Sequence, residues 1–249
     1  MVSEPTIAPK GNGLTTALDI IASPSDAFAR LRVVPTWGWA FLIATVLGIV
    51  GSLLGSAAAE HAALTSLPAI IAKNPIDATK SAEQRQRTLE LQISITKATI
   101  KFNFAFVPLS VLLSALLQTV YLLIVNAMTR GQGSFKKFWA LAINVAIVGI
   151  GLALVVSGIV ELIRGPEAFN SVGDTLNAIP SLAWIVPGTT GLLHGFLASI
   201  SIFALWSTGL IALGLIGIAR IKPVQAYTSA GILLVVGALI YGALVSAQA

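Results

Sequence analysis

Residues 102–129 read FNFAFVPLSVLLSALLQTVYLLIVNAMT, from Phe102 to Thr129 without one Asp, Glu, Lys or Arg. A spanning helix needs about 20 mainly apolar residues to cross the hydrocarbon core, and this run exceeds that. The strands of a membrane β-barrel alternate over about ten residues, whereas this run is continuously apolar. An open loop or sheet edge in lipid would leave backbone N–H and C=O groups unpaired, so helix is the reading. Four further charge-free runs flank it: Thr36–Ala59, Phe138–Val160, Gly195–Ala219 and Val224–Ala249. The pattern predicts an all-α polytopic membrane protein with five transmembrane helices, at about 36–59, 102–129, 138–160, 195–219 and 224–247. Loops 60–101 and 161–194 lie on one side. Residues 1–35 form an N-terminal segment with an amphipathic helix, and 36–249 form the transmembrane domain.

Composition agrees. The 249 residues are 56% hydrophobic and 10% charged. A soluble domain is roughly 45–50% apolar and about 25% charged. So few charges cannot cover a water-facing surface, which excludes an ordinary soluble enzyme, a disordered chain and a coiled coil. The net charge of +5 comes from 15 dispersed Lys and Arg, not a nucleic-acid-binding patch. Cysteine is absent, which removes disulfides, thiolate metal sites and a cysteine nucleophile.

Cations in short loops favour the cytoplasmic side. Lys10, Arg30 and Arg32 precede the first span. Arg130, Lys136 and Lys137 follow the second, and Arg220 and Lys222 follow the fourth. These place the N-terminus in the cytoplasm and the C-terminus outside. Lys97 and Lys101, close to the second span on the opposite side, run against the rule. Residues 1–13 are polar, so no cleavable signal peptide is expected and the first span serves as the insertion signal.

Along the chain, Leu14, Ala17, Leu18 and Ile21 share one helical face. Ser23-Pro24-Ser25-Asp26 reads as a helix start, with Ser23 as N-cap, Pro24 at the first position and Asp26 closing a capping box. Phe28 and Leu31 then oppose Arg30 and Arg32. Two readings stay open for residues 14–32: a helix lying in the membrane interface, or one packed beneath the bundle. Trp37 and Trp39 are interfacial anchors. Gly51 and Gly55 permit close helix approach, within the chain or across a homodimer seam. Pro68 and Pro75 break the first outer loop, after which 80–101 reads as a helix running into the second span. Its mixed charges suit solvent or a partner. Ser110, Ser114 and Gln118 share a face of the second span. With Asn126 and Asn144 they make a candidate polar intramembrane set, explained by interhelical hydrogen bonds or by a polar conduit. Gly165-Pro166-Glu167 reads as a helix start, with Phe169, Val172, Leu176 and Ile179 as its buried stripe.

Catalytic constellations are missing. The spans carry no ionisable residue except at their edges, which disfavours pumps and proton relays. Gly131-Gln132-Gly133-Ser134 lacks the spacing and the Lys of a phosphate-binding loop. His61 and His194 are the only histidines, too few for a usual His site. The expectation is no enzyme activity, no catalytic residue, no cofactor and no metal.

The ordered landmarks carry a family likeness. Ser23-Pro24-Ser25-Asp26-Ala27-Phe28 is followed by Pro35-Thr36-Trp37. Gly133-Ser134-Phe135-Lys136-Lys137-Phe138 opens the third span. Phe203-Ala204-Leu205-Trp206 continues to Gly214, and Lys222-Pro223-Val224 links to the last span. The chain thereby resembles the Yip family of multispanning Ypt/Rab-interacting membrane proteins, in its bacterial branch. The resemblance rests on Pro24, Phe28, Pro35, Gly133, Phe135, Phe138, Phe203, Trp206 and Gly214. Ser201 stands where the family often has an acidic residue. The resemblance implies five spans, a cytoplasmic N-terminus, a bacterial inner-membrane location and a non-enzymatic role. Eukaryotic members engage Rab-type GTPases, whereas some bacterial relatives accompany ABC-type exporters. The expected partners are the lipid bilayer and an unknown membrane protein, with exporter subunits as one possibility. An accessory or scaffold protein is the leading expectation. A small-solute or lipid transporter or channel component is the alternative.

Overall fold

A computed structural model of the protein describes residues 11–73 and 81–248. The sequence readings that involve Lys10, Pro75 and Lys80 lie outside the described residues. The described chain is all-α. Its helices are α1 (Gly13–Ala22), α2 (Pro24–Val33), α3 (Gly38–Leu54), α4 (Ser56–Lys73), α5 (Ala82–Phe102) and α6 (Val107–Thr129). They continue with α7 (Phe135–Ala146), α8 (Ala153–Arg164), α9 (Val172–Leu176), α10 (Gly191–Ser199), α11 (Ile202–Ala219) and α12 (Pro223–Gln248).

Four helical stretches are each long and apolar enough to cross a membrane: Ala82–Thr129, Phe135–Arg164, Ile202–Ala219 and Pro223–Ser246. The pair α3–α4, bent by 54° at Gly55, makes a fifth where it is counted as one broken span. The first charge-free run is therefore not one straight helix. Neither is 195–219. Its helix stops at Ser199 and restarts at Ile202, because the backbone at Ile200–Ser201 pairs with another segment. Leu182 N–H donates to Ile200 C=O and Ile202 N–H to Pro180 C=O, both at 3.2 Å. These two bonds replace intrahelical ones that the break removes.

The described residues form two compact units, each drawn from several helices. The first holds residues up to 47, 108–152 and 203–234. Its core includes Phe28, Phe138, Leu141, Leu215 and Ile218, all buried. Gly214 lies so close to Leu141 that any side chain there would overlap it, and Gly217 backs onto Phe28. Residues 14–32 form two helices, α1 and α2, which pack on each other and on α7. Ala17, Ile20, Ala27, Phe28 and Leu31 are buried in this packing, while Leu18 and Ile21 are exposed.

Two local expectations need correction here. Ser23 does occupy the N-cap of α2, but its side chain makes no capping bond, so the capping box with Asp26 is not formed. Arg30 is not a headgroup-facing cation. It is buried, ion-paired with Asp19, and its Nε donates to Thr16 Oγ1 at 3.0 Å. The neighbouring helix α1 supplies both partners, which the α2 pattern alone cannot reveal.

The second unit holds 48–107, 153–202 and 235 onward. Its tightest contact is between α3 and α8. A Cβ on Gly51 would overlap the Leu154 backbone, and one on Gly158 would overlap the Gly51 carbonyl. The pair that sequence singled out, Gly51 and Gly55, therefore lies at a helix contact within the chain. Pro68 lies inside α4 rather than ending it. The expected helix start at Gly165-Pro166-Glu167 is only a 3₁₀ turn, Pro166–Ala168, and the true short helix begins one residue after Ser171. There Ser171 and Asp174 close a capping box. Phe169 is fully buried among Ala58, Ala62 and Ala178, while Val172 is exposed.

Two stability measurements follow. Asp19→Ala strands the buried Arg30 guanidinium and should cost roughly 3 kcal/mol, whereas Asp19→Ala/Arg30→Met should recover most of it. Thermal unfolding in detergent, with amide exchange over 13–33, reads both. Gly51→Ala should destabilise by about 2 kcal/mol through overpacking, while Gly209→Ala, with nothing within 4 Å of the added carbon, should not. Equal midpoints for the two glycine variants would contradict the α3–α8 contact.

Candidate functional site

In the first unit, the buried stripe of α6 runs through Val111, Ala115, Thr119, Leu122 and Val125. The sequence-singled face sits beside that stripe. Ser110 is exposed, and Ser114 and Gln118 are half-buried. Gln118 Nε2 donates to Ser114 Oγ at 3.4 Å, a long bond within one helix. Thr119, which the spacing argument passed over, is the fully buried polar residue here, and its hydroxyl donates to Ala115 C=O at 2.7 Å. Its signal lies in the i, i+4 register with Val111 and Ala115.

Asn126 and Asn144 do not join that face. Asn126 organises the turn after α6: its Oδ1 accepts from Gly133 N–H at 2.8 Å and its carbonyl from Gly131 N–H at 2.9 Å. Gly131 and Gly133 have no room for side chains, since each would meet the Asn126 amide and Gly133 also Phe138. Gln132 N–H donates to Ala219 C=O at 2.7 Å, which ties this turn to the end of α11. Both helix ends place an arginine in the left-handed region, Arg130 at φ 55° and Arg220 at φ 56°. Asn144 Nδ2 donates to Thr36 C=O at 3.0 Å and to Ala140 C=O at 2.7 Å, anchoring the chain just before α3. A helix start and a chain reversal thus use the two asparagines.

The motif residues divide the same way. Phe28, Phe138 and Phe203 are buried, Gly214 permits close packing, and Pro24 opens α2. Pro35 is half-buried in the link from α2 to α3. Phe135 stacks on Trp139 at 6.0 Å, which meets Trp37 edge-on at 6.1 Å. Trp206 is partly exposed. Ser201 lies buried in the α10–α11 break, its backbone bridged to Ser181.

The second unit carries several cavities. One of about 420 Å³ is walled by Ile70, Val172 and Val245 and by Ser66, Asn177 and His194. His194 Nε2 lies 3.4 Å from Asn177 Nδ2, and Nδ1 lies 3.4 Å from Thr189 Oγ1. A neutral ring with the proton on Nδ1 satisfies both contacts. Asn177 Oδ1 is buried without a hydrogen-bond partner among the described residues. The other histidine, His61, links α4 to the 166–169 turn through Phe169 C=O at 3.0 Å and Glu167 at 3.2 Å. Among the described residues no three His, Cys, Asp or Glu side chains gather at one point.

Glu161 is the residue that the charge map misplaced. Assigned to the outer loop, it instead lies inside α8, buried, where Ser157 Oγ donates to its Oε1 at 2.8 Å. The absence of a side chain at Gly55 makes room for it. The available signal was Ser157 one turn earlier and the apolar residues that continue on both sides of the carboxylate.

No protein-family model matches the chain, and no solved structure matches it. A curated relative does. Over 215 residues the chain is 32% identical to the membrane protein YknW of Bacillus subtilis (strain 168), covering 86% of this chain and 83% of YknW. With its apolar helices, this shows that the chain is a multi-pass membrane protein and belongs to the family of YknW.

Proposed function

We propose that the chain is a Yip-domain protein of a bacterial inner membrane that acts without catalysis, as an accessory or scaffold for another membrane protein. Its N-terminus is cytoplasmic and its C-terminus extracytoplasmic. The observation that carries this reading is α5. Helical backbone runs 48 residues from Ala82 to Thr129, against about 20 for a crossing. Helix α5 buries no residue. Leu89, Ile93, Thr96 and Ile100 are half-buried, while α5 packs on α4. The next stripe, with Leu91 at 61% and Ile95 at 50% exposure, is uncovered. Apolar side chains alternating with Arg87, Glu90 and Lys97 suit a protein surface that is apolar and charged at once. The motif resemblance supports the same reading, the kinship with YknW supports its membrane setting, and subunits of an ABC-type exporter are one partner that the resemblance offers.

A photo-reactive group at Gln92 should give one discrete adduct with another membrane protein in cells, and Leu91→Asp/Ile95→Asp should abolish it. Adducts with lipid alone, or a protein adduct unaffected by the double substitution, would count against the proposal. The transporter alternative draws on Gln118, whose Oε1 is buried without a partner among the described residues. An accessory protein leaves wild-type and Gln118→Leu proteoliposomes with the same background permeability to small polar solutes. Flux that Gln118→Leu abolishes would favour transport instead.

A further inference from the structure

The bend at Gly55 opens a groove of about 420 Å³ in the second unit, between the α3–α4 elbow and the end of α5. Two serines one turn apart, Ser52 and Ser56, face two lysines one turn apart, Lys97 and Lys101. Leu53, Ala98, Ile100 and Phe104 add apolar wall, and Glu60 also lines the groove. Lys97 Nζ reaches Glu60 Oε1 at 3.8 Å, a loose and solvent-exposed pair. Lys101 has no carboxylate partner among the described residues. Its ammonium lies 6.0 Å from the Phe102 ring. Two ammonium groups against one carboxylate leave the groove with one net positive charge.

The position of the groove along the chain identifies its depth. Glu60 is the first charge after the run from Thr36, and Lys101 the last before the run from Phe102. Both charge-free runs end here, so the groove lies where hydrocarbon gives way to headgroups. These are the two lysines that contradict the short-loop charge rule, and a local anionic ligand removes the contradiction. We infer that this groove binds the phosphodiester of an anionic phospholipid, with Lys97 and Lys101 on the phosphate, the serine hydroxyls beside it, and the upper acyl chain against Leu53, Ile100 and Phe104. A single net positive charge matches a headgroup of net charge −1, as in phosphatidylglycerol. Glu60 acts as a competitor that holds Lys97 away from the phosphate.

The test is native mass spectrometry of the full chain from detergent with added phosphatidylglycerol, phosphatidylethanolamine or phosphatidylcholine of matched acyl chains. Phosphatidylglycerol should be retained preferentially. Lys101→Gln should weaken its retention about fivefold, as should Lys97→Gln, in line with the worth of one near-surface lysine. Lys101→Arg should keep it. Glu60→Gln should strengthen it, whereas a site for a zwitterionic headgroup would lose affinity on that change. Equal retention of the three lipids, or of phosphatidylglycerol by wild type and Lys97→Gln/Lys101→Gln, overturns the inference. Inorganic phosphate and glycerol 3-phosphate at millimolar concentration serve as the soluble source. If either displaces the lipid completely, the ligand is free phosphate and the lipid assignment is wrong. Unchanged thermal midpoints identify the variants that keep the fold.

Discussion

The contact between Gly51 and the Leu154–Gly158 backbone constrains everything around it in the second unit. In lipid, apolar side chains gain nothing by leaving one apolar environment for another, so helices hold together through close packing and polar contacts. At Gly51 and Gly158 backbone meets backbone, and neither residue tolerates a methyl group. One turn on, the missing side chain of Gly55 leaves the space that Glu161 fills. Glu161 in turn takes its hydrogen bond from Ser157, on the same helix. The bend at Gly55 and the burial of a carboxylate thus belong to one arrangement. A bulkier residue at any of the three glycines would disturb all of it.

The same logic governs the irregular places. Where the backbone leaves the helix, its polar groups find a partner nearby. Asn126 serves the 131–133 turn, Asn144 the residues before α3, and Pro180–Leu182 the break at Ile200–Ser201. Asn126 and Asn144, two polar side chains within the apolar runs, thus serve joints of the backbone. The motif residues have related duties in the first unit. Phe28, Phe138 and Gly214 fill or permit a crowded junction of helices.

Hydropathy makes the long helices legible, because lipid demands charge-free length and few soluble folds supply it. Breaks stay hidden from it. An apolar run scores alike whether straight, bent at Gly55 or interrupted at Ile200, and the interruption depends on a partner segment some twenty residues earlier. Arg30 and Glu161 show the matching limit for charge. Each looks solvent-facing in its own helix, yet is covered by groups from elsewhere, Thr16 and Asp19 in one case and the space at Gly55 in the other. Ser110, Ser114 and Gln118 share a face as their spacing requires. Spacing does not say which face is buried, and the buried one passes through Thr119.

Arg130 and Arg220 carry a different lesson. Helices commonly end with glycine in the left-handed region, where a side chain is strained. Two helices of the first unit end there with arginine instead, and a hydrogen bond joins their turns. Local frustration of this kind, where the residue opposes the geometry around it, is the pattern found at functional or strained sites. Here it occurs twice within one pair of linked turns, and both times the residue is a cation. The two loops are therefore a compromise in which charge outranks backbone comfort.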